Sequence, residues 1–498
     1  MDRLSLLVWV PVATMLLISL FKDPKKVRII AASGMAIQVI QVLFLLFAFF
    51  AERHAGNTSE MLFVTDVVWY KSLNIHYAVG IDGVSMSLLL LTSVVIFTGI
   101  FASWEIEDRT QEFFITLILL ATGVFGFFIS LDLFTMFLFY ELAVIPMYLL
   151  IGIWGSGPKE YSAMKLTLML MGASAFLLVG ILGIYFNSAP DGGQLTFNFI
   201  EISKITIPES AQFFFFPLTF VGFGVLAALY PFHTWSPDGH ASAPTAVSML
   251  HAGVLMKLGG YGALRIAVML MPQAAQSMAW FFIILATIGA VYGALGAIAQ
   301  KDLKYINAYS SVSHLGLILF ASLMFNHVAY EGAVLQMISH GLITALFFAL
   351  IGMIYSRTHT RNIFEMGGLM KVMPILGTAY MVVGFASLGL PGFSAFVAEM
   401  TIFVGAFQNN DMFIRVATIL VISSIVITAV YILRAAAIML YGQIKNKEFE
   451  LLPDARWYDK VAVFILIGVI AGMGMFPGWL ANMIYTGLTP MFERVIAN

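Results

Sequence analysis

A set of ionisable side chains lies deep inside the apolar stretches of this chain, and these residues are the most able to do chemistry: Glu141, Lys165, His251, Lys257, His314, His340 and Glu399. Only 10% of the residues are charged, so almost every charge could be placed in a polar loop. A charge at the centre of a bilayer costs on the order of 3 kcal/mol, and such residues are usually functional or paired. Their recurrence on successive apolar segments predicts a route for protons or ions through or along a membrane.

Two of these residues are the most isolated. Glu141 lies in LFTMFLFYELAVIPMYLLIGIW with no neutralising residue within a helical turn, which indicates a proton-accepting carboxylate facing the protein interior. Lys257 lies more than two turns from either end of its apolar stretch, and a buried lysine can switch its charge with its surroundings. The structural alternatives are a carboxyl bonded to a neighbouring helix and a lysine that extends to the membrane surface.

Three histidines extend the pattern, because histidine readily relays protons near neutral pH. His251 precedes Lys257 by six residues, which places the two about 9 Å apart along a helix axis, a gap that water can bridge. His314 lies in a serine-rich segment and His340 in the next apolar segment. The alternatives are neutral core histidines or, for the last two, haem ligands, which the neighbouring hydroxyl groups disfavour.

Glu399 follows the helix-breaking sequence Leu390-Pro391-Gly392, where a carboxylate can reach a water-filled cavity. Lys165 lies near the start of its apolar stretch and either joins the relay or extends to the inner surface.

The polar residues at the edges of these stretches have simpler interpretations. Asp238 and His240 are more typical of capping residues in a Pro/Gly-rich connection, and Arg265 and Arg434 are expected at the membrane interface.

The composition sets the class of protein. Hydrophobic residues make up 60% of the chain, against about 45–50% in soluble domains. The chain has no cysteine, which excludes disulfides, thiolate zinc sites and cysteine-ligated iron–sulfur clusters. It also has no Walker loop, no G-x-G-x-x-G opening a helix and no H-E-x-x-H. We therefore expect no cofactor or metal site in this chain, and its net charge of -2 gives no indication of a nucleic-acid partner.

The elements that position these residues are predicted to be membrane-spanning helices of about 20 residues each. We predict an all-α polytopic membrane protein, one integral domain over residues 1–498, with about 14 spans. The candidate spans are 4–21, 28–50, 81–103, 113–130, 132–154, 163–186, 212–230, 246–270, 279–299, 303–325, 329–355, 373–407, 412–441 and 460–486. Residues 51–80 and 187–210 are predicted loops, with a turn at 190–193 and, at 194–203, a short outer strand or an interfacial segment.

The seventh and twelfth predicted helices are broken, at Tyr230-Pro231 and at Leu390-Pro391-Gly392. Breaks at corresponding positions of two halves are typical of transporters built from inverted repeats. We therefore predict two inverted five-helix repeats, at about 113–270 and 279–441, followed by a final helix at 460–486.

Loop charges predict the orientation, because basic residues concentrate on the inner side of a membrane. If the N-terminus lies outside, the inner loops hold most of the Lys and Arg residues, among them Lys22, Lys159, Lys301, Lys304 and Arg361. Both termini are therefore predicted on the outer side.

Four segments resemble the antiporter-like membrane subunits of respiratory complex I, and Glu399, where the L and N types have a lysine, makes the chain similar to the M type. The four segments are FYELAVIPMYLLIGIWG, PFHTWSPDGHASAPTAVSMLHAGVLMKLGGYGALR, SSVSHLGLILF followed by QMISHG, and SLGLPGFSAFVAEM. They occur in the order found in that family, and the resemblance covers about residues 80–490. The resemblance implies a subunit that translocates protons, coupled to quinone reduction elsewhere in a complex.

The resemblance also implies roles for individual residues. Glu141 matches the fifth-helix glutamate and Lys257 the central eighth-helix lysine of the family. His314 and His340 match the connecting histidines, and Glu399 matches the terminal residue of the outward half-channel. Electrostatic coupling would pass charge along this order.

The partners and location follow from the same resemblance. L-type and N-type membrane-arm neighbours and peripheral-arm subunits are expected in a bacterial inner membrane, together with the lipid bilayer and without nucleic acid. NADH, FMN, iron–sulfur clusters and quinone are expected in the partner subunits. The alternatives are a subunit of a multi-subunit Na⁺/H⁺ antiporter or of a membrane-bound hydrogenase, which use similar subunits, and a passive scaffold.

One position departs from the family. The usual partner of the fifth-helix glutamate is a lysine on the seventh helix, five residues before the proline of the PxHxW segment, and this chain has Leu226 there. We hypothesise that His251 or Lys165 replaces that lysine as the partner of Glu141.

Overall fold

The computed structural model describes residues 2–189 and 192–497. Its helices, in chain order, are α1 (Leu6–Ser19), α2 (Pro24–His54), α3 (Gly83–Ala102), α4 (Thr110–Ile129), α5 (Leu133–Trp154), α6 (Lys159–Phe186), α7 (Phe199–Ile202), α8 (Glu209–Leu226), α9 (Trp235–Ser242), α10 (Thr245–Leu250), α11 (Met256–Gly262), α12 (Pro272–Ala299), α13 (Leu303–Ala321), α14 (His327–Thr358), α15 (Leu369–Val372), α16 (Pro374–Ser387), α17 (Ser394–Phe407), α18 (Met412–Leu440), α19 (Trp457–Met475) and α20 (Gly478–Ala497). The described chain also has two strands, β1 (Leu62–Tyr70) and β2 (Ile75–Ile81), and short 3-10 segments at Lys71–Leu73, Ile363–Glu365 and Lys447–Leu451.

Ten of the described helices are long and apolar enough to cross a membrane: α2, α3, α4, α5, α6, α8, α12, α14, α18 and α19. The helices α1, α16 and α17 are shorter and also apolar. The prediction of a predominantly helical, polytopic membrane protein is therefore confirmed.

The helix α14 lies at the centre of the bundle. Its 18-residue apolar window is 100% buried, whereas the windows of α2 and α18 are each 39% buried. A helix that is hydrophobic all round is stable only when it is surrounded on every side. The candidate relay residues of α14 are therefore enclosed by protein rather than by lipid.

The two predicted helix breaks are present. The seventh helix stops with α8 at Leu226 and resumes as α9 only at Trp235. The twelfth is divided into α16 and α17, and between them Gly389 and Gly392 adopt φ angles of +64° and +98°. Only glycine occupies this backbone region readily, so the Leu-Pro-Gly sequence stops one helix and starts another.

The eighth helix is irregular in a way that the sequence did not indicate. Two π-helical segments, His251–Leu255 and Ala263–Val268, flank α11. Each π segment widens the helix by an extra residue per turn, and such segments occur frequently at functional sites. Lys257 lies on the short α-helical part between them.

The prediction of a loop at 51–80 is wrong. Strands β1 and β2 form an antiparallel hairpin in which Thr65 pairs with Val79 and Val68 with His76. Alternating β-branched and aromatic residues in LFVTDVVWY favour a strand. The chain is therefore not all-α, although this hairpin is its one named sheet within the described residues.

Two other segments also differ from the predictions. Residues 194–203 form no strand; Asn198 makes an isolated bridge with Asp132 and caps the four-residue helix α7. Of the turn predicted at 190–193, residues 190 and 191 lie outside the described residues. The predicted final helix at 460–486 is two helices, α19 and α20, because Pro477 and Gly478 interrupt it.

Candidate functional site

Lys257 lies at the centre of the candidate site and is fully buried. Its Nζ donates to the carbonyl oxygen of Ala252 and lies 2.9 Å from Nδ1 of His340 on α14. When Lys257 is protonated, its ammonium group has only donors, so Nδ1 accepts and the ring proton resides on Nε2, which lies 2.9 Å from Oγ1 of Thr344. This tautomer is assigned from the hydrogen-bond network. The arrangement permits proton transfer from Nζ to Nδ1.

A close backbone contact fixes this pair. The eighth helix crosses α14 where Gly253 meets Gly341, and a Cβ added to Gly253 would lie 3.1 Å from the carbonyl oxygen of Gly341. Only glycine lets the two backbones approach this closely. The distance between Lys257 and His340 is therefore set by the packing of two main chains.

The second half of the site joins α13, α14 and α17. The ring centroids of His314 and His340 are 5.2 Å apart. His314 Nδ1 accepts from Nε2 of Gln336 at 3.2 Å and lies 3.6 Å from Oε1 of Glu399. Gln336 also lies beside the carboxylate of Glu399. The structure thus brings together four of the predicted residues and adds Gln336, which sequence reasoning missed although it lies one turn from His340.

Glu399 lies at the base of a lateral groove of about 650 Å³ formed by α17, α18 and the end of α16. The carboxylate is 3% exposed, and its Oε1 has no hydrogen-bond donor among the described residues. A Cβ added to Gly389 would lie 2.7 Å from Oε2 of Glu399. The glycine of the helix break therefore makes room for the carboxylate.

His251 and His240 form a second buried cluster. Their ring centroids are 4.6 Å apart, and the ring of His251 also stacks on Trp235 at 5.2 Å. None of the four ring nitrogens has a hydrogen-bond partner within the part of the chain that the structure describes. Buried polar atoms are nearly always bonded, so this cluster suits internal water.

Lys165 is engaged by a different residue from the one predicted. Its Nζ forms an ion pair with Oδ2 of Asp238 on α9 at 2.7 Å. The hydroxyl of Tyr305 on α13 donates to the other carboxylate oxygen of Asp238 at 3.0 Å. Asp238 is therefore the centre of a three-residue network and does not cap α9, whose N-cap is Thr234; sequence reasoning also missed Tyr305.

Glu141 on α5 lies beside the side chain of Ser174 on α6. Across residues 2–189 and 192–497, neither Lys165 nor His251 lies within ion-pairing distance of its carboxylate. Ser174 is nine residues from Lys165, about 13 Å along α6, which exceeds the reach of a lysine side chain. The hypothesis that one of these residues replaces the missing lysine is not supported, and Leu226 itself is fully buried.

Two basic residues that were expected at the membrane interface or in an inner loop are buried in the protein. Arg265 is buried and forms an ion pair with Asp82 at 2.5 Å. Lys304, predicted in an inner loop, is 4% exposed and donates to the carbonyl oxygen of Ala243 at 2.6 Å, at the junction of α9 and α10. The sequence places Asp82 directly before the apolar run of α3, which is the pattern of a helix N-cap. That pattern predicts the position of Asp82 but not its pairing with Arg265.

No group of three or more His, Asp or Glu side chains among the described residues is arranged to hold a metal ion. The chemistry that this arrangement supports is proton transfer between neighbouring side chains. Its donors and acceptors are an amine, two imidazoles and a carboxylate on α11, α13, α14 and α17.

Comparison with known proteins shows a family match over most of the chain and several relatives of similar length. Residues 130–428 match the family model described as NADH:quinone oxidoreductase/Mrp antiporter, TM. The chain is 33% identical to NADH-quinone oxidoreductase subunit M of Rickettsia prowazekii over 488 residues, covering 97% of each. It is 35% identical to NAD(P)H-quinone oxidoreductase chain 4-2 of Synechocystis sp. over 445 residues, covering 88% of this chain and 78% of the relative.

Solved structures share the fold. A chain of respiratory complex I from Thermus thermophilus superimposes with a TM-score of 0.88 at 24% identity, covering 99% of both chains. A chain of the Mrp complex from Dietzia sp. gives a TM-score of 0.83 at 19% identity, covering 98% of this chain and 97% of that chain.

Proposed function

The chain belongs to the NADH:quinone oxidoreductase/Mrp antiporter family as an M-type, proton-translocating membrane subunit of NADH-quinone oxidoreductase, and from that premise we propose that its protons pass between Lys257, His340, His314 and Glu399. The observation that carries this route is the contact of 2.9 Å between Lys257 Nζ and His340 Nδ1 in the buried centre of the bundle. The short steps onward to His314 and Glu399 extend it toward α17.

The geometry limits the central pair to one excess proton. Two positive charges 2.9 Å apart repel by about 6 kcal/mol at an effective dielectric constant of about 20. When Lys257 gives its proton to His340, the lysine becomes neutral and the imidazolium donates from both ring nitrogens. A second proton reaches Lys257 only after the first has left the pair, so protons pass through it one at a time.

The inner entrance of the route is proposed at Lys165, Asp238 and Tyr305. Their network is half-buried, at side-chain exposures of 24% and 25% for the ion pair, so water reaches it. From there, water in the cluster of His240 and His251 would extend the path toward Lys257. The four unpartnered ring nitrogens support this step, because each can bond to water.

Glu141 acts differently from the ion-paired glutamate that the family resemblance implied. Ser174 Oγ donates its proton to the carbonyl oxygen of Met171 at 2.9 Å. A hydroxyl can rotate from that carbonyl to donate to the Glu141 carboxylate, because its hydrogen position is assigned rather than observed. We assign Glu141 as an acid that exchanges its proton without a lysine partner.

The architecture is proposed to contain about 14 spans and two inverted repeats, at 113–270 and 279–441. The breaks between α8 and α9 and between α16 and α17 support this arrangement. L-type and N-type neighbours, a peripheral arm carrying NADH, FMN, iron–sulfur clusters and quinone, and outer termini in a bacterial inner membrane complete the proposal.

The test uses the intact complex in inside-out membrane vesicles. We expect Lys257→Met and His340→Leu to lower the number of protons pumped per NADH oxidised, whereas Lys445→Met, at an exposed lysine outside the site, keeps the wild-type ratio. Full pumping in both site variants would contradict the route and indicate a scaffold. Sodium-driven proton exchange without NADH would instead indicate an antiporter.

A further inference from the structure

A cavity of about 580 Å³ lies between the end of α2 and the start of α20, away from the proton route. Phe49, Phe50, Trp479 and Met483 form its apolar wall, and Arg53 lies at its polar rim. The rings of Phe50 and Trp479 are in edge contact at 6.4 Å. The cavity therefore combines an aromatic floor with a cationic edge.

Arg53 is fixed in orientation but has no acidic partner. Its Nη1 donates to the carbonyl oxygens of Asn57 at 2.9 Å and Ser59 at 2.7 Å, and its guanidinium lies 5.3 Å from the ring centre of Phe49. Its Nε is buried and has no acceptor in the described part of the chain. The Nε and Nη2 edge of the guanidinium, which binds phosphate and carboxylate in a fork, is thus unfilled.

The acidic residue that lines the cavity is already paired with a cation. Glu60, which lines it, forms an ion pair with Arg494 at 2.5 Å. Glu52, which accepts from the side-chain amide of Asn57 at 3.0 Å, is not among the residues that line the cavity. Arg53 therefore carries the uncompensated charge among the described residues that line the cavity, and the site favours an anion.

An apolar path leads from the cavity along the outside of α2. Ile40, Phe44 and Phe47 are 65%, 63% and 71% exposed, and with Phe50 they recur at helical spacing, so they share one face. A free phosphate makes no favourable contact with an apolar surface, whereas an acyl chain buries its methylene groups against one. Aromatic side chains beside a basic residue are also typical of the membrane interface.

We propose that this cavity binds one phospholipid. Its phosphodiester oxygens accept from Nε and Nη2 of Arg53, and one acyl chain lies against Phe50 and Trp479 and continues along α2. Anionic headgroups are favoured, because the local charge is positive.

The experiment measures lipid retained by the intact complex. The complex is reconstituted with phosphatidylglycerol, washed in mild detergent, and the subunit is released for native mass spectrometry. We expect Arg53→Gln to lower the occupancy of the most tightly held phosphatidylglycerol about tenfold, the effect of losing one charge-assisted hydrogen bond. The matched control is Arg3→Gln, because Arg3 also lies over an aromatic ring, that of Phe63, but outside the cavity.

Equal occupancy in the wild type and Arg53→Gln, or an equal fall in Arg3→Gln, overturns the proposal. If Arg53→Gln fails to assemble, Phe50→Ser tests the apolar half and is expected to lose the same lipid. Replacing Trp479 with a photoreactive benzoylphenylalanine distinguishes the occupants. A lipid adduct supports the proposal, whereas an adduct with a neighbouring subunit, or protection by inorganic phosphate alone, overturns it.

Discussion

Replacing Asp82 with asparagine is expected to destabilise the subunit by about 3–5 kcal/mol, the range for removing one partner of a buried ion pair. The carboxylate lies 2.5 Å from Arg265, at side-chain exposures of 0% and 2%. Asparagine keeps an oxygen for the backbone N–H of Ser85, which lies 2.9 Å from Asp82 Oδ1. The cap of α3 is therefore retained, and the loss reports the uncompensated guanidinium.

The double variant Asp82→Asn/Arg265→Met makes the prediction sharper. It removes both charges, so no buried charge remains unpaired, and replacing a buried pair by apolar groups is often neutral. The guanidinium also lies over the rings of Tyr261 and Phe199 at 5.7 and 5.5 Å, contacts worth about 1 kcal/mol each. We expect the double variant to be only about 2 kcal/mol below the wild type, and thus more stable than Asp82→Asn.

The assay is the temperature at which half of the subunit is lost from the purified, detergent-solubilised complex. Glu105→Gln is the matched control: Glu105 pairs with Arg456, but the two side chains are 41% and 48% exposed. Such a pair contributes about 0–1 kcal/mol. The reasoning is refuted if the double variant is lost at as low a temperature as Asp82→Asn, or if the control falls as far.

Three further predictions concern the candidate site. Gly389→Ala places a methyl group against Glu399 in a left-handed conformation, so we expect a loss of about 1–3 kcal/mol and fewer protons pumped per NADH; wild-type stability and pumping would contradict this. Leu226→Lys supplies the lysine usual in the family, and infrared difference spectra should then show Glu141 ionised at neutral pH; a carboxyl band that remains protonated would show that Leu226 is not the determinant. Asp238→Asn should slow pumping without changing NADH-driven electron flow through an artificial acceptor, and an unchanged pumping rate would remove the inner entrance from the route.

The sequence identified the candidate relay residues because an isolated ionisable side chain is conspicuous in an apolar stretch. Lys257, His340, His314 and Glu399 were identified in this way, and the structure places them in contact in that order. The helix breaks were equally predictable, since proline and glycine interrupt a helix through their own backbone geometry, whatever the neighbouring helices are.

The partners of these residues were not predictable. Sequence gives the depth of a side chain along a helix but not its azimuth when the helix is buried on every side, as α14 is. The contact of Glu141 with Ser174 and the pairing of Lys165 with Asp238 depend on which helices are neighbours. The ion pair of Arg265 was not predicted for the same reason, because its partner Asp82 caps α3, far away in the chain.

The glycine crossing of the eighth helix and α14 has a mechanical consequence. Lys257 Nζ reaches back to the carbonyl of Ala252, next to Gly253, and His340 is next to Gly341, so both nitrogens lie close to the pivot of the two helices. A rotation of about 10° about that pivot moves the ends of α14, roughly 20–25 Å away, by about 4 Å, but moves a point 3 Å from it by only about 0.5 Å. Tilting α14 therefore leaves the contact between the amine and the imidazole intact. We therefore expect proton flow to be interrupted by side-chain rotation, or at the contacts of His314 and Glu399, which lie farther from the pivot.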